Sequence, residues 1–593
     1  MFVLDSTEQS AQPGDDPRTT GRKLSRRGFL RALATTSAGT AAGLVALGAA
    51  PDPALAAPPR IPTRTPTPRP RPSTTPGSGG GPPVGGPPGS SGSPTSAGSR
   101  AARSMYMRQQ AALYEQGLGF PQHQNNGDEA SLPGYIGNYS KGLPHNALGE
   151  VDPLAYLAML RAVGSGSPAD FEAIPLGGTR ALTNPQGGLA FALQGPDPAC
   201  IAQAPAPALR SAEQAAEIAE NYWMALLRDL PFQDYLSDPL AAAACIDLSA
   251  MSDFRAPKVA GAVTPQTLFR SQAVGTTFGP YISQFMWLKT PFGAEVVDRK
   301  MRTRKAGVDY MTGYADWLAI QNGVNPSGDQ GFESQTRYII NGRDLSEWVH
   351  IDVLFQAYFN ALLILFDQGA PMDAANPYRS SRNQAAFGTF GPPYIASILC
   401  GVARTALAAV WYQKWFVHRR LRPEAMAGRI HNQKTGAAAY GIHPDIMNSQ
   451  AIGQVYSRHG SYLLPMAFPE GSPTHPAYGA GHATVAGACV TILKAMFDET
   501  WVLPAPVLPT ADGQSLVAYG GAPLTVGGEL NKLAANVAFG RNIAGVHWRT
   551  DGDASMRLGE DLAIRYLRED RLCMNEPFTG FSLTRFDGTT ITI

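Results

Sequence analysis

Beyond residue 100 the chain is patterned for helices. Apolar residues recur every three or four positions over 102–116, 154–163 and 212–229, and again over 309–321, 346–367 and 405–421. That spacing gathers them on one helix face. Two later runs, 483–497 and 554–572, read as a buried helix and a closing helix. The pattern changes at the end, where residues 581–593 alternate on either side of Asp587-Gly588, the mark of a hairpin. The expected fold is all-α, a large protein built on helix bundles and finished by a short C-terminal β-hairpin.

The first hundred residues follow other rules. Residues 1–56 read as a twin-arginine signal peptide. They hold Arg22-Lys23-Leu24-Ser25-Arg26-Arg27-Gly28-Phe29-Leu30, a modest apolar run to Ala50, and an Ala54-Leu55-Ala56 cleavage site. Thr, Ser and Gly interrupt the run too often for a bilayer span, so the expectation is export of a folded protein to the periplasm or the exterior. Residues 57–100 collapse to Pro, Thr, Ser, Gly and Arg. Such a stretch cannot bury apolar surface and reads as a disordered linker. The folded part is expected from about Ala101, with an N-terminal helical half over 101–300 and a C-terminal half over 301–593.

Composition narrows the function. Formal net charge is +1 and only 16% of the 593 residues are charged, which argues against a nucleic-acid partner. The five cysteines show no CxxC and no zinc spacing. Cys200 and Cys245 are the one pair to test as a disulfide, while Cys400 and Cys489 read as small buried hydrophobes. Asn126-Gly127-Asp128-Glu129 offers too few ligands for a metal loop and reads as a structural turn. The region 376–390 lacks the acidic residues of a calcium site.

In this charge-poor chain three blocks concentrate chemistry. The first is Lys414-Trp415-Phe416-Val417-His418-Arg419-Arg420-Leu421-Arg422-Pro423, the second His475-Pro476-Ala477-Tyr478-Gly479-Ala480-Gly481-His482, the third Arg541 to Asp551 with His547 between. Lys414 and Arg422, eight apart, can share a side of a helix that Arg422-Pro423 stops, and Trp411 precedes Lys414 on the same face. Gly481 opens a helix where free N–H groups and the dipole favour an anion. His547 and Asp551 are four apart, so the carboxylate can orient the imidazole. Each residue alone is more often a solvated charge or a satisfied polar group. Jointly they describe a pocket for a compact, multiply charged oxyanion.

This order resembles the type-2 phosphatidic acid phosphatase superfamily, and within it the vanadium-dependent haloperoxidases of the algal and bacterial bromoperoxidase-like branch. The likeness rests on Lys414 to Glu424, His475 with His482, and Arg541 to Arg549, and extends upstream to residues 126–129 and 141–146. It implies a vanadate cofactor bound through His547, the vanadium ligand. Its oxygens would be held by Lys414, Arg422, Arg541 and the Gly481 amide, with His482 as general acid/base and Lys414 polarising peroxide. His475 and Trp411 would shape the halide side, and His475, where chloride-oxidising relatives often carry Phe, leans toward bromide or iodide. Ala480 departs from the Ser common before the Gly-His pair.

The resemblance further implies hydrogen peroxide, halide and a small organic acceptor as substrates, hypohalous acid as product, no stable membrane association, and a homo-oligomer of two or more chains. The runner-up is a secreted acid phosphatase using the same pocket with His547 as nucleophile. A third class is an exported helical protein with a dead site. The long branch-specific blocks favour the haloperoxidase.

Overall fold

The computed structural model describes residues 95–593, so the expected twin-arginine segment and all but the end of the expected linker lie outside the described residues. Helix α1 (Ala97–Gly117) begins inside the expected linker because Ser96 caps it, its side chain accepting from Ser99 N. None of α1 is fully buried, so its amphipathic face does not serve this chain's core. Helix α2 (Pro153–Ser165) starts at the Asp152 cap and stops where Gly166 turns left-handed. Helix α3 (Ala212–Leu226) is buried on nearly every side, Glu217 and Glu220 included.

From 309 to 367 the backbone is more broken than the apolar pattern predicts. Helices α4 (Tyr314–Gln321), α5 (Gly342–Trp348) and α6 (Gln356–Asp367) form, with the non-helical link 349–355 between the last two. That link matters at the site. Helix α7 (Pro392–Tyr412) starts well before the expected 405 and continues into a π-turn, Gln413–His418, that ends where Arg419 adopts φ 41°. Arg422-Pro423 therefore stops no helix. Pro423 instead occupies the first turn of α8 (Pro423–Lys434), where its missing N–H costs nothing.

The centre is α9 (Gly481–Met496), packed against α7, α10 (Val526–Ile543) and α11 (Arg549–Leu572). Glycines set how closely α9 and α11 approach: a Cβ on Gly487 would sit 2.0 Å from Met556 O, and one on Gly559 2.0 Å from Thr484 O. The segment Pro392–His418 is long and apolar enough to cross a bilayer, but it spends that surface against α9. α3 also packs on α10, so elements from either side of residue 300 meet around one site within one compact unit.

The C-terminal hairpin forms as expected. β5 (Ser582–Thr584) pairs antiparallel with β6 (Thr590–Thr592), Leu583 facing Ile591. It docks on the body through Lys494 Nζ to Thr584 O at 2.6 Å and Phe586 N to Glu560 Oε1 at 2.8 Å. Two further two-stranded ribbons, β1 (Thr290–Phe292) with β2 (Glu295–Val297) and β3 (Val507–Pro509) with β4 (Leu516–Ala518), were not foreseen. All five cysteines are free thiols, so Cys200 and Cys245 are not bridged. Cys489 is buried as expected, whereas Cys400 is only half-buried.

Candidate active site

The loop from Glu470 to Ala480 brings His475, Ala480 and the start of α9 into place, and buried cations pin its carbonyls. Lys141 Nζ donates to Glu470 O at 2.7 Å and Ser472 O at 2.6 Å. Arg422 Nε donates to His475 O at 3.0 Å, and Lys414 Nζ to Pro476 O at 2.8 Å and Ala477 O at 3.1 Å. Glu424 closes the frame, taking Lys141 Nζ at 2.6 Å on one oxygen and Ser472 N at 2.6 Å on the other.

Lys414, Arg422 and Arg541 are each 5% exposed or less. Arg419, Arg420, Arg549 and Lys141 all hold carboxylates, but Lys414, Arg422 and Arg541 hold none within ion-pair distance among the described residues. Arg541 donates from one terminal nitrogen to Val349 O at 2.9 Å, and its Nε is buried without a partner. Burial, then the neighbouring Arg422, holds Lys414 well below its ordinary pKa, and burial brings Arg422 down to about 10. Such a cluster is costly until an anion arrives.

His547 sits among these cations. Arg422 approaches its Nε2 at 3.1 Å, and a guanidinium can only donate, so Nε2 accepts and the proton lies on Nδ1. Nδ1 donates to Asp551 Oδ2 at 2.7 Å. His547 lies just before α11, not on it: Asp551 is the third residue of α11 and reaches back to both His547 Nδ1 and Trp548 N. The four-residue spacing works by that route. Asp551 is in turn held by Arg420 at 2.8 Å, itself paired with Glu217 at 2.7 Å and Gln214 at 2.7 Å on α3. Burial, with Arg422 and Lys414 next, holds the His547 imidazole well below its ordinary pKa, so it is neutral and Nε2 carries no proton.

His482, on the first turn of α9, donates from Nε2 to Asp352 Oδ1 at 2.9 Å. Burial lowers its pKa and Asp352 opposes the drop, which leaves a neutral ring with Nδ1 able to take a proton. His475 Nδ1 accepts from Arg422 at 2.9 Å, so its proton sits on Nε2, and the 3.1 Å approach of Pro476 O to that same Nδ1 carries no hydrogen. The Trp411 ring lies 4.9 Å from the His475 ring and 5.8 Å from Lys414 Nζ. A Cβ on Gly481 would meet Trp411 at 3.3 Å, so glycine keeps this corner open. Ala480 offers no side chain to cap α9, and the first helix N–H groups stay available to an anion.

All the residues singled out in the sequence thus meet. Asp352, Arg420, Glu217 and Lys141 were missed as partners. Asp352 lies in the non-helical link, where no periodicity points inward, and Arg420 and Lys141 sat inside quoted blocks without an assigned job. The 126–129 turn is structural: Asp128 accepts from Leu209 N at 2.8 Å and Glu129 pairs with Arg419 at 2.6 Å.

Residues 397–575 match the family model described as the VCPO second helical-bundle domain. The chain is 36% identical over 558 residues to the vanadium-dependent bromoperoxidase of Corallina pilulifera, covering 79% of this chain and 93% of that one. The chain belongs to the vanadium-dependent haloperoxidases. It is also 35% identical over 533 residues to the bromoperoxidase of Ascophyllum nodosum, over 84% of this chain and 95% of that one. The homohexameric structure of the second vanadate-dependent bromoperoxidase of that alga superposes with a TM-score of 0.80 at 33% identity, over 84% of this chain and 90% of that one. As a haloperoxidase of this family the chain takes vanadate as cofactor and oxidises halide with hydrogen peroxide.

The pocket fits that group by its own chemistry. It has three buried cations with no carboxylate within ion-pair distance among the described residues, an unpartnered Arg541 Nε, uncapped helix amides and a neutral imidazole nitrogen aimed among them.

Proposed function

We propose that this haloperoxidase oxidises bromide to hypobromous acid, which halogenates small organic acceptors. The observation that carries the reading is His547 Nε2, unprotonated, among three buried cations that have no anion of their own. Vanadate, when bound, supplies a d⁰ Lewis acid that activates peroxide without changing oxidation state. His547 Nε2 would be its protein ligand, with Asp551 fixing the tautomer from behind. Lys414, Arg422, Arg541 and the Gly481 amide would hold its oxygens, electrostatic stabilisation arranged before the reaction begins. His482 Nδ1 would move the proton that peroxide must lose, with Asp352 holding the ring.

Support for bromide comes from the Trp411 and His475 corner. A neutral imidazole with its N–H at Nε2, against an indole and near Lys414, gives a polarisable anion a donor, an aromatic edge and a cation. Export by the twin-arginine route rests on Arg22 to Leu30 and places the enzyme in the periplasm or outside the cell. The homohexameric relative supports a homo-oligomer here too.

The test is bromination of a phenolic dye by purified apoprotein with peroxide and bromide, before and after vanadate, with phosphate as competitor. Activity that needs vanadate and falls with phosphate is expected, and a chloride and iodide series sets the halide order. Hydrolysis of a phosphate monoester without halogenation would replace this reading with the phosphatase.

A further inference from the structure

The link 349–355 holds two site residues from two directions. Val349 O takes Arg541 at 2.9 Å, and Asp352 Oδ1 takes His482 Nε2 at 2.9 Å. Between them His350 is tied down on three sides. Its Nε2 meets Glu470 Oε1 at 2.6 Å, its Nδ1 lies 3.4 Å from Glu347 Oε2, and its ring stacks on Phe468 at 3.7 Å and 8°. The same Phe468 ring has Arg541 over it at 5.7 Å. Glu470 also belongs to the loop leading to His475.

We propose that His350 is a positioning residue for this site, clamping the 349–352 segment and the Phe468 ring so that Arg541 and His482 keep their places. The proposal rests on the reading of Arg541 and His482 as the groups that hold vanadate and move the proton. His350 touches neither substrate nor cofactor and acts through what it fixes.

The surrounding charges say which form of the imidazole does this. Glu347 and Glu470 face it directly, and Arg304 holds Glu347 at 2.6 Å. Lys141 and Arg180 donate to the Glu470 carbonyl, Arg541 lies beyond Phe468, and Asp352 follows two residues on. Burial disfavours the His350 cation, but the two glutamates outweigh burial and raise its pKa. The same contact carries Glu470 down to about 2 against its own burial. The imidazolium donates to Glu470 and faces Glu347 across a longer ion pair without a hydrogen bond, and this clamp loosens as pH rises through the His350 pKa.

Vanadate binding to the apoenzyme, followed by calorimetry and by vanadium-51 NMR across pH 5.5 to 9, tests this in wild type, His350→Asn, Glu470→Gln and Phe468→Leu. Wild-type affinity should weaken as pH rises through the titration of His350, read directly from its ring-proton NMR signals. The apparent Kd of His350→Asn should be about tenfold weaker at low pH, the usual size for an outer partner of a bound group, and should lose that step. Glu470→Gln should move the step to lower pH. A His350→Asn protein that folds, with wild-type affinity and an unchanged pH profile, overturns the proposal. A wild type that binds no vanadate overturns the underlying reading instead. If His350→Asn fails to fold, Glu470→Gln and Phe468→Leu decide, since wild-type affinity and profile in both overturns the clamp.

Discussion

His547 Nδ1 and Asp551 Oδ2 are 2.7 Å apart, and that one bond decides which nitrogen of His547 faces the three cations. Asp551 also links the imidazole to Arg420, which in turn holds Glu217. Asp551→Ala should therefore act twice. Vanadate affinity should fall by about 10- to 100-fold as the ring loses its tautomer. Stability should drop by roughly 3 kcal/mol because buried Arg420 loses a partner. Vanadate titration of the apoprotein reads the first effect and denaturant unfolding the second. Undiminished affinity would mean that His547 is held some other way.

His482 and Asp352 make a separable pair. His482→Ala should lower kcat by about 10²- to 10⁴-fold, the usual worth of a placed acid/base, with a smaller change in vanadate affinity. Asp352 raises the His482 pKa against burial. Asp352→Asn removes that support, so the ring stays neutral to lower pH. The acid limb of the rate profile should move down in pH while kcat falls. A limb that moves up, or stays, would show that another group titrates there.

Ala480 stands at the N-cap of α9 with no side chain to offer. Ala480→Ser supplies a hydroxyl that can either cap the helix or donate to a bound oxyanion. Added capping should raise apoprotein stability by about 1 kcal/mol. A hydrogen bond to the anion should instead tighten vanadate by a few-fold to about tenfold. Melting of the apoprotein beside vanadate titration tells these apart, and no change in either would mean the hydroxyl turns away toward Ser555, whose Oγ already takes Ala480 N at 2.8 Å.

Much of this site was legible because permanent charges are rare in the chain, so Lys414, Arg422 and Arg541 stand out in sequence, as do Gly481-His482 and His547 with Asp551. The backbone that joins them was less so. Reading 405–421 as one regular helix put Lys414 and Arg422 together by periodicity. The structure joins them through a π-turn and a left-handed Arg419, which hydrophobic spacing does not encode. Asp352 and His350 were invisible for a related reason. They lie in a link inside 346–367, whose apolar residues read as one helix, and their partners, His482 and Glu470, are more than a hundred residues away. α1 formed over the expected stretch, but an amphipathic pattern states that a face wants cover and not what covers it.

Lys141 and Glu424 form a buried pair, each about 1% exposed, that sets the loop before His475. Burial lowers Lys141 to about 8, with Glu424 pushing the other way. In wild type the unfolded chain binds this proton more tightly than the fold does, so Lys141 adds stability as pH climbs from about 8 toward its unfolded value. Glu424→Gln removes the opposing charge. The lysine pKa should then fall further, and this rise in stability should begin at lower pH. Near neutrality the variant should be less stable by roughly 3 to 5 kcal/mol, the cost of breaking a buried pair. Lys141→Met with Glu424→Leu should recover most of that loss. Unfolding free energies of the three proteins from pH 6 to 10 check both the size and the slope. A Glu424→Gln protein that shows no deficit at pH 7 would mean that Lys141 is already neutral there and that its carbonyl contacts alone hold the loop.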